Sequence, residues 1–160
     1  MIALEEEIDP AVLLAPSRPL VVHSDVAVRA ALGAAPAVQA LETWRQEGTR
    51  LIAPDLWAAE AVGAIRRSVA QRVLSRAEGK GALSRLFALG IESVPLDLAL
   101  SRQAFDWAER LGATRGQGAF YVALAERERA TLWTANRRFA LRARQSGAAW
   151  VRHLDETDLP

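Results

Sequence analysis

A histidine and an aspartate stand where the first predicted strand ends, in the stretch PLVVHSDVAVRAAL over residues 19–32. A chain that leaves the carboxyl end of a strand in an α/β fold commonly delivers side chains to a ligand crevice. His23 and Asp25 are therefore candidates for chemistry, either as metal ligands or as the remains of such a site. Asp25 is equally well explained as the N-cap of the following helix, because its carboxylate can accept hydrogen bonds from free backbone amides.

A third candidate is Glu60, which follows Leu56 by four residues on an otherwise apolar helix face. A carboxylate is costly to bury without a partner, and this favours a functional origin for Glu60. With His23 and Asp25 it could bind Mn²⁺, Zn²⁺ or another transition metal. In the interpretation that we favour, a protonated His23 instead hydrogen-bonds to Glu60 and takes the place of a cation.

The elements that must position these residues alternate between strand and helix. Apolar, β-branched stretches predict the strands, and apolar residues at helical spacing predict the helices between them. The strands are expected at 20–24, 50–54, 91–95, 131–134 and 148–154. Such alternation indicates parallel pairing, with helices on both faces of the sheet. We expect one α/β domain over residues 19–160, preceded by an acidic, proline-broken extension over residues 1–18.

The composition of the chain limits the functional classes to which the protein can belong. A length of 160 residues with 51% hydrophobic residues suits one domain with a substantial core. The formal net charge of +1 gives no attraction of the whole protein to nucleic acid. The absence of cysteine excludes disulfides and thiolate metal sites. Because no apolar run approaches the roughly 20 residues of a membrane span, we expect a cytoplasmic protein without a membrane partner.

Three stretches of the sequence, taken together, resemble the PIN domain family, specifically the VapC-like toxins of bacterial toxin–antitoxin pairs. They are VVHSDVAV, APDLWAAEAVGAIRR and GAFYVALAERERATLWTANRRFA, and the similarity in order and spacing extends over about residues 19–154. The resemblance implies a PIN-like three-layer α/β/α sandwich with a central, mainly parallel sheet of four or five strands. It also implies a homodimer and a cognate antitoxin-like protein partner.

In that family, a cluster of acidic residues binds one or two Mg²⁺ or Mn²⁺ ions, which activate water to attack an RNA phosphodiester. The four corresponding positions of this chain hold His23, Glu60, Gly118 and Asn136, so one of four is acidic. Asp25 falls on the family's Ser/Thr position and could restore one carboxylate. A unit charge about 4 Å from a dication contributes roughly 8 kcal/mol gross at an effective dielectric near 20. We therefore expect no tightly bound cofactor, with Mg²⁺ or Mn²⁺ needed only for residual activity.

The remaining candidates have weaker signals. Asn136 could offer a carbonyl oxygen to a metal, but we favour its use as a helix cap. Gly118, in the sequence GQG, suggests a loop that tolerates a close approach to the backbone, such as that of a phosphate. A group of basic residues next to the corresponding site is either an RNA-contacting path or a solvated helix face; it comprises Arg115, Arg137, Arg138 and Arg142.

Three functions remain open from the sequence. The leading one is a degenerate VapC-like protein with weakened or lost nuclease activity, which acts by binding a partner protein or RNA. The second is an active endoribonuclease toxin with a site rebuilt from His23, Asp25 and Glu60 around Mn²⁺ or another transition metal. The third is a scaffold or antitoxin-like subunit in which residues 1–18 pack against a neighbouring chain.

Overall fold

A computed structural model describes residues 17–155 of the chain. Strands form at all five predicted places, each within the predicted stretch: β1 (Leu20–Val22), β2 (Leu51–Pro54), β3 (Glu92–Val94), β4 (Thr131–Thr134) and β5 (Val151–His153). Seven helices occur in this part of the chain: α1 (Ser24–Ala31), α2 (Ala35–Gln46), α3 (Trp57–Ala70), α4 (Arg76–Phe87), α5 (Leu98–Arg110), α6 (Gln117–Arg127) and α7 (Arg137–Gln145).

The five strands form one sheet in the order β3-β2-β1-β4-β5, and all four pairs are parallel. In the centre, Val21 is in register with Ile52 on one side and with Leu132 on the other. All three side chains are buried. Near-continuous apolar strands are typical of a parallel sheet that is covered on both faces. The predicted parallel sheet is confirmed.

Helices cover both faces of this sheet. Val21 and Leu132 belong to an apolar cluster that includes buried side chains of α3, α4, α5, α6 and α7. The next residue of each strand, Val22 and Trp133, points to the other face and packs with side chains of α1 and α2, among them Trp44. This alternation follows from the two-residue period of a strand. The architecture is the predicted three-layer α/β/α sandwich.

The strand order places a topological switch point at the centre of the sheet. The chain runs from β1 to β2 and β3 on one side, and then returns to place β4 on the other side of β1. Ligands of open parallel sheets bind in the crevice outside the carboxyl ends of the strands at such a point. His23 follows β1 directly, and Thr134 is the last residue of β4. The candidate site therefore lies where the topology favours one.

Residues 1–16, which make up most of the predicted N-terminal extension, lie outside the described residues. The boundary between the extension and the domain stays a prediction. Within residues 17–155, no helix is both long enough and apolar enough to span a bilayer.

Candidate functional site

The carboxylate of Asp25 connects the first turn of α1 to the end of β4. Thr134 Oγ1 donates a hydrogen bond to Asp25 Oδ2 at 2.7 Å, and the amide of Ala135 donates to Asp25 Oδ1 at 2.9 Å. The N-cap of α1 is His23, whose side chain accepts from the amide of Asp25. The prediction that Asp25 caps this helix is therefore wrong, because the neighbouring strand β4 offers its carboxylate two donors.

The His23 ring lies between Asp25 and two aromatic side chains. Its Nδ1 is 3.2 Å from the amide nitrogen of Asp25 and 3.3 Å from Asp25 Oδ1. These two contacts require opposite states, since Nδ1 accepts from the amide only without a proton and donates to the carboxylate only with one. The ring stacks on Tyr121 with centroids 4.2 Å apart and tilts against Phe139 at 5.3 Å. The contact of Nδ1 is thus with Asp25, whereas the sequence analysis favoured a hydrogen bond between His23 and Glu60.

The environment keeps Asp25 ionised. Burial alone raises the pKa of this carboxyl group, but the contact with His23 and the hydrogen bonds from Ala135 and Thr134 act in the opposite direction and prevail. The net result is a pKa below the ordinary aspartate value. Hydrogen bonds to a charged acceptor are stronger than neutral ones, and they favour its charged form. Asp25 is therefore a carboxylate that accepts one hydrogen bond from the protein on each of its two oxygens.

Glu60 projects from the first turn of α3 and is half-buried. Ser24 Oγ donates to Glu60 Oε2 at 3.0 Å, and the Tyr121 hydroxyl donates to Glu60 Oε1 at 3.4 Å. Burial raises the pKa of Glu60, and attraction to His23 with these two hydrogen bonds offsets this effect only in part. Burial also raises the pKa of the Tyr121 phenol, with the Glu60 charge adding to the effect. The phenol therefore keeps its proton and serves as a donor.

Gly118 lies within the first turn of α6 and not in a loop, as the sequence suggested. A Cβ atom built on Gly118 would be 2.9 Å from Cε2 of Phe139, which is closer than real side-chain contacts. The close approach expected at this glycine is therefore made by the Phe139 ring. That ring fills the space into which a side chain at position 118 would project.

Asn136 fixes the start of α7 and hence the place of Phe139. Asn136 Oδ1 accepts from the amide of Phe139 at 3.0 Å, which confirms the predicted helix cap. The amide of Asn136 donates to Thr134 Oγ1 at 3.1 Å, and the same hydroxyl donates to Asp25. One chain of hydrogen bonds thus links the fourth family position to Asp25.

These residues do not fit the Mg²⁺ centre that the family resemblance implies. A hard dication requires several oxygen ligands, and closely spaced carboxylates need it for neutralisation. Here two of the four family positions, His23 and Gly118, offer no side-chain oxygen, and the oxygens of Asp25 and Glu60 also accept hydrogen bonds from the protein. Within residues 17–155, no group of three or more His, Asp or Glu side chains is placed to hold a metal ion. The transition-metal site of His23, Asp25 and Glu60 stays a prediction.

The predicted basic residues lie on α7 and in the turn that precedes α6. Arg137, Arg138 and Arg142 belong to α7, and Arg115 precedes α6; all four are exposed. Arg137 is 3.6 Å from Asp155, so part of its charge is compensated. Contact of this cluster with RNA stays a prediction.

Sequence reasoning missed four side chains that define the site. Thr134, Ser24 and Tyr121 supply donors, and Phe139 supplies the ring that fills the space beside Gly118. In the sequence, these residues are marked only by lying next to or near one of the four positions that correspond to the family's acidic residues. Their partners are set by tertiary contacts.

Comparison with known proteins finds similarity in fold and not in sequence. No protein-family model and no curated protein sequence matches the chain. A toxin–antitoxin complex from Klebsiella pneumoniae contains a chain with a TM-score of 0.57 and 19% identity, covering 84% of this chain and 97% of that one. VapBC2 from Rickettsia felis, bound to a promoter DNA fragment, gives a TM-score of 0.62 and 14% identity over 84% and 97%.

PAE2754 from Pyrobaculum aerophilum gives a TM-score of 0.59 at 18% identity and covers 78% of each chain. Identities this low carry information about the fold alone. That fold agrees with the element order, the parallel sheet and the three motifs quoted from the sequence. This chain therefore has the PIN-like, VapC-like fold that its motifs predicted, shared with chains of toxin–antitoxin complexes.

Proposed function

We propose that this protein is a VapC-like pseudoenzyme that has lost metal-dependent ribonuclease activity and acts by binding a partner protein of the antitoxin type. One observation carries the proposal: both oxygens of Asp25 are engaged by Thr134 and Ala135, while the Phe139 ring fills the space beside Gly118. Both features, together with the shortage of carboxylates at the family positions, argue against binding of the family's dication.

The loss of activity follows from what phosphodiester hydrolysis demands. A dication activates water and neutralises the charge that develops on the phosphate oxygens. Without enough carboxylates, the dication has little reason to leave its hydration shell, and Mg²⁺ dehydrates reluctantly. The stack of His23 on Tyr121 and the ring of Phe139 also place aromatic surface around the first family position.

Binding of a partner protein is supported by the fold. Two of the similar structures are toxin–antitoxin complexes, and this chain covers 97% of the matched chain in each of them. A protein that keeps this fold without the acidic site still presents the surfaces of the fold. Binding to such a partner requires none of the missing carboxylates.

A cleavage assay tests the loss of nuclease activity. The full chain is incubated with end-labelled RNA and either Mg²⁺ or Mn²⁺, beside a Glu60→Gln variant purified in the same way. We expect equal, background-level degradation in both samples. Cleavage by the unmodified chain that Glu60→Gln abolishes would establish the rebuilt nuclease instead.

Metal binding is measured independently of activity. In a titration followed by Mn²⁺ electron paramagnetic resonance, we expect the free-ion signal to rise as in buffer. The variant His23→Ala serves as the control, because it removes the imidazole of the transition-metal alternative. Binding that His23→Ala removes would support that alternative.

The partner is sought among the products of neighbouring genes. Each candidate is co-expressed with the full chain, and the mass of the purified complex is measured by light scattering. We expect a stable complex with a small protein. Retention of RNA in place of a protein, weakened by Arg138→Glu, would favour the RNA-binding alternative.

The predicted homodimer also belongs to this proposal. Leu98 and Phe105 lie two turns apart on α5 and are 66% and 76% exposed, which favours a partner for this face. We expect sedimentation to give twice the chain mass, and Phe105→Ser to shift the protein toward the monomer. The matched control is Leu141→Ser on α7, where the leucine is 50% exposed. A monomeric unmodified chain would contradict the dimer.

A further inference from the structure

We infer that the groove between α3 and α4 binds an acidic amphipathic helix of the partner protein. Such binding deepens the proposed function and rests on its assignment of a protein partner, but it does not depend on the state of the candidate site. Three features of the groove select this occupant, namely the spacing of the lining residues, the apolar floor and the basic rim.

The groove is lined by one regularly spaced stripe of residues from each helix. On α3 the stripe begins at Val62 and continues at the third, fourth and seventh residues after it, ending at Val69. The same spacing runs from Arg76 to Leu83 on α4. Residues with this spacing share one face of a helix, the face that packs against other elements. Within residues 17–155, the two stripes border an open groove and not a third helix, so the pair presents a seat for one.

The floor of the groove is aliphatic. Ile65 is buried, and Val62, Val69 and Leu83 are half-buried around it. The groove has a volume of about 530 Å³, and ligand clefts usually have roughly 300–1,000 Å³. The 12 residues of α4 make it about 18 Å long, enough for three turns of a second helix lying alongside. A floor of this kind is complementary to leucine-like side chains.

The rim of the groove is basic. Arg66 on α3, with Arg76 and Lys80 on α4, borders the floor, and all three are exposed. No ion pair among the described residues involves any of them. The basic character extends over the whole helical hairpin, where one acidic residue, Glu78, stands among six basic ones: Arg66, Arg67, Arg72, Arg76, Lys80 and Arg85. The whole chain, in contrast, has a formal net charge of only +1, so this charge is local and attracts an anionic occupant.

An acidic amphipathic helix satisfies the floor and the rim together. Helices that bind in grooves use apolar residues at i, i+3, i+4 and i+7, which here would cover Ile65 and its aliphatic neighbours. Carboxylates beside that stripe would meet the three cations of the rim. Nucleic acid would satisfy the rim alone, because no aromatic side chain among the described residues lines the groove to stack on a base. A basic helix would satisfy the floor alone.

Binding of designed peptides tests the chemistry of the groove. The probe is a fluorescein-labelled helical peptide with leucine at i, i+3, i+4 and i+7 and glutamate on both sides of that stripe. One control peptide has lysine in place of glutamate, and the other has serine in place of leucine. In fluorescence anisotropy titrations with the full chain, we expect the probe to bind at least about tenfold more tightly than either control. Equal affinities of the three peptides would overturn the inference.

Charge reversal in the chain locates the binding site. Arg66→Glu with Lys80→Glu turns two attractions into repulsions and should weaken the probe about tenfold, a modest factor because exposed ion pairs are individually weak. The matched control, Arg29→Glu with Arg129→Glu, makes the same change of charge at exposed residues outside the groove and should change the affinity less than about twofold at physiological salt. Circular dichroism confirms that each variant is folded. An equal loss of affinity in both folded variants would overturn the inference.

Two further measurements distinguish the inference from its rivals. Single-stranded RNA that binds more tightly than the probe, and is released by Arg66→Glu with Lys80→Glu, would overturn it in favour of nucleic acid. In the complex isolated by co-expression, the same double variant should raise the dissociation constant about tenfold. An unchanged dissociation constant would overturn the inference and leave the proposed function intact. The absence of any protein complex would contradict the proposed function, whereas the peptides test the groove without a native partner.

Discussion

Thr134 Oγ1 lies 2.7 Å from Asp25 Oδ2, although the two residues are 109 positions apart in the chain. The contact joins the end of β4 to the first turn of α1 across the switch point of the sheet. With the amide of Ala135 on the other oxygen, it turns an acidic residue beside a metal-binding position of the family into a structural bridge.

Asp25→Asn should destabilise the protein by about 1.5–3 kcal/mol, the usual contribution of hydrogen bonds to a charged group. The asparagine amide nitrogen would face either the Thr134 hydroxyl or the Ala135 amide, and the amide of Ala135 cannot act as an acceptor. Urea unfolding at pH 7 measures the loss. Asp106→Asn, at an exposed position on α5, is the matched control and should change stability by less than about 0.5 kcal/mol.

The stabilisation by Asp25 should depend on pH in a defined direction. The folded-state pKa of Asp25 lies below the ordinary value, so the contribution is complete above a pH of about 4 and disappears as the pH falls through the folded-state pKa. The difference in unfolding free energy between the unmodified chain and Asp25→Asn should therefore shrink between pH 7 and about pH 3. A constant difference over this range would contradict the assignment.

The contribution of Glu60 to stability should depend on pH in the direction opposite to that of Asp25, and Glu60→Gln tests this. The pKa of Glu60 is raised in the folded protein, so its favourable contribution is present at low pH and is lost as the pH rises through the folded-state value. At pH 7 the glutamine removes a half-buried charge and can still accept a hydrogen bond from Ser24 or Tyr121. We expect a stability at pH 7 no more than about 0.5 kcal/mol below that of the unmodified chain. A loss as large as that of Asp25→Asn would show that the Glu60 charge stabilises the fold.

Gly118→Ala tests whether the Phe139 ring occupies the space beside Gly118. In the unmodified chain we expect a loss of about 1 kcal/mol, because overpacking outweighs the better helix propensity of alanine. In a Phe139→Ala background the same change should stabilise by about 0.5 kcal/mol, since only the propensity gain is left. Chemical denaturation of the four proteins of this cycle measures the coupling.

Gly63→Ala is the matched control for that cycle. It also lies in a helix, but its added Cβ atom would be 3.7 Å from Arg67 Nη1, an ordinary contact. It should stabilise by up to about 1 kcal/mol in either background. If Gly118→Ala behaves like Gly63→Ala in the unmodified chain, the Phe139 ring does not occupy the space beside Gly118.

Much of the fold could be read from local patterns. The apolar, β-branched stretches around Val21 and Leu132 became the paired central strands, and alternation with helices indicated the parallel sheet. Asn136 could be recognised as a cap, because capping is a short-range interaction between neighbours in sequence. The scarcity of carboxylates at the family positions is likewise a property of the sequence alone.

The site itself was decided by tertiary structure. The N-cap of α1 is His23 and not Asp25. The order of the strands brings the Thr134 hydroxyl and the Ala135 amide to the Asp25 carboxylate, which accepts hydrogen bonds from them instead. Gly118 is a helical residue whose missing side chain leaves room for Phe139, a neighbour from another helix. Periodicity and propensity describe residues within a few positions of one another, whereas these partners are chosen by packing between distant segments. The sequence by itself therefore determined the elements and the shortage of acidic residues at the family positions, and the assembled sheet decided which groups contact Asp25 and Gly118.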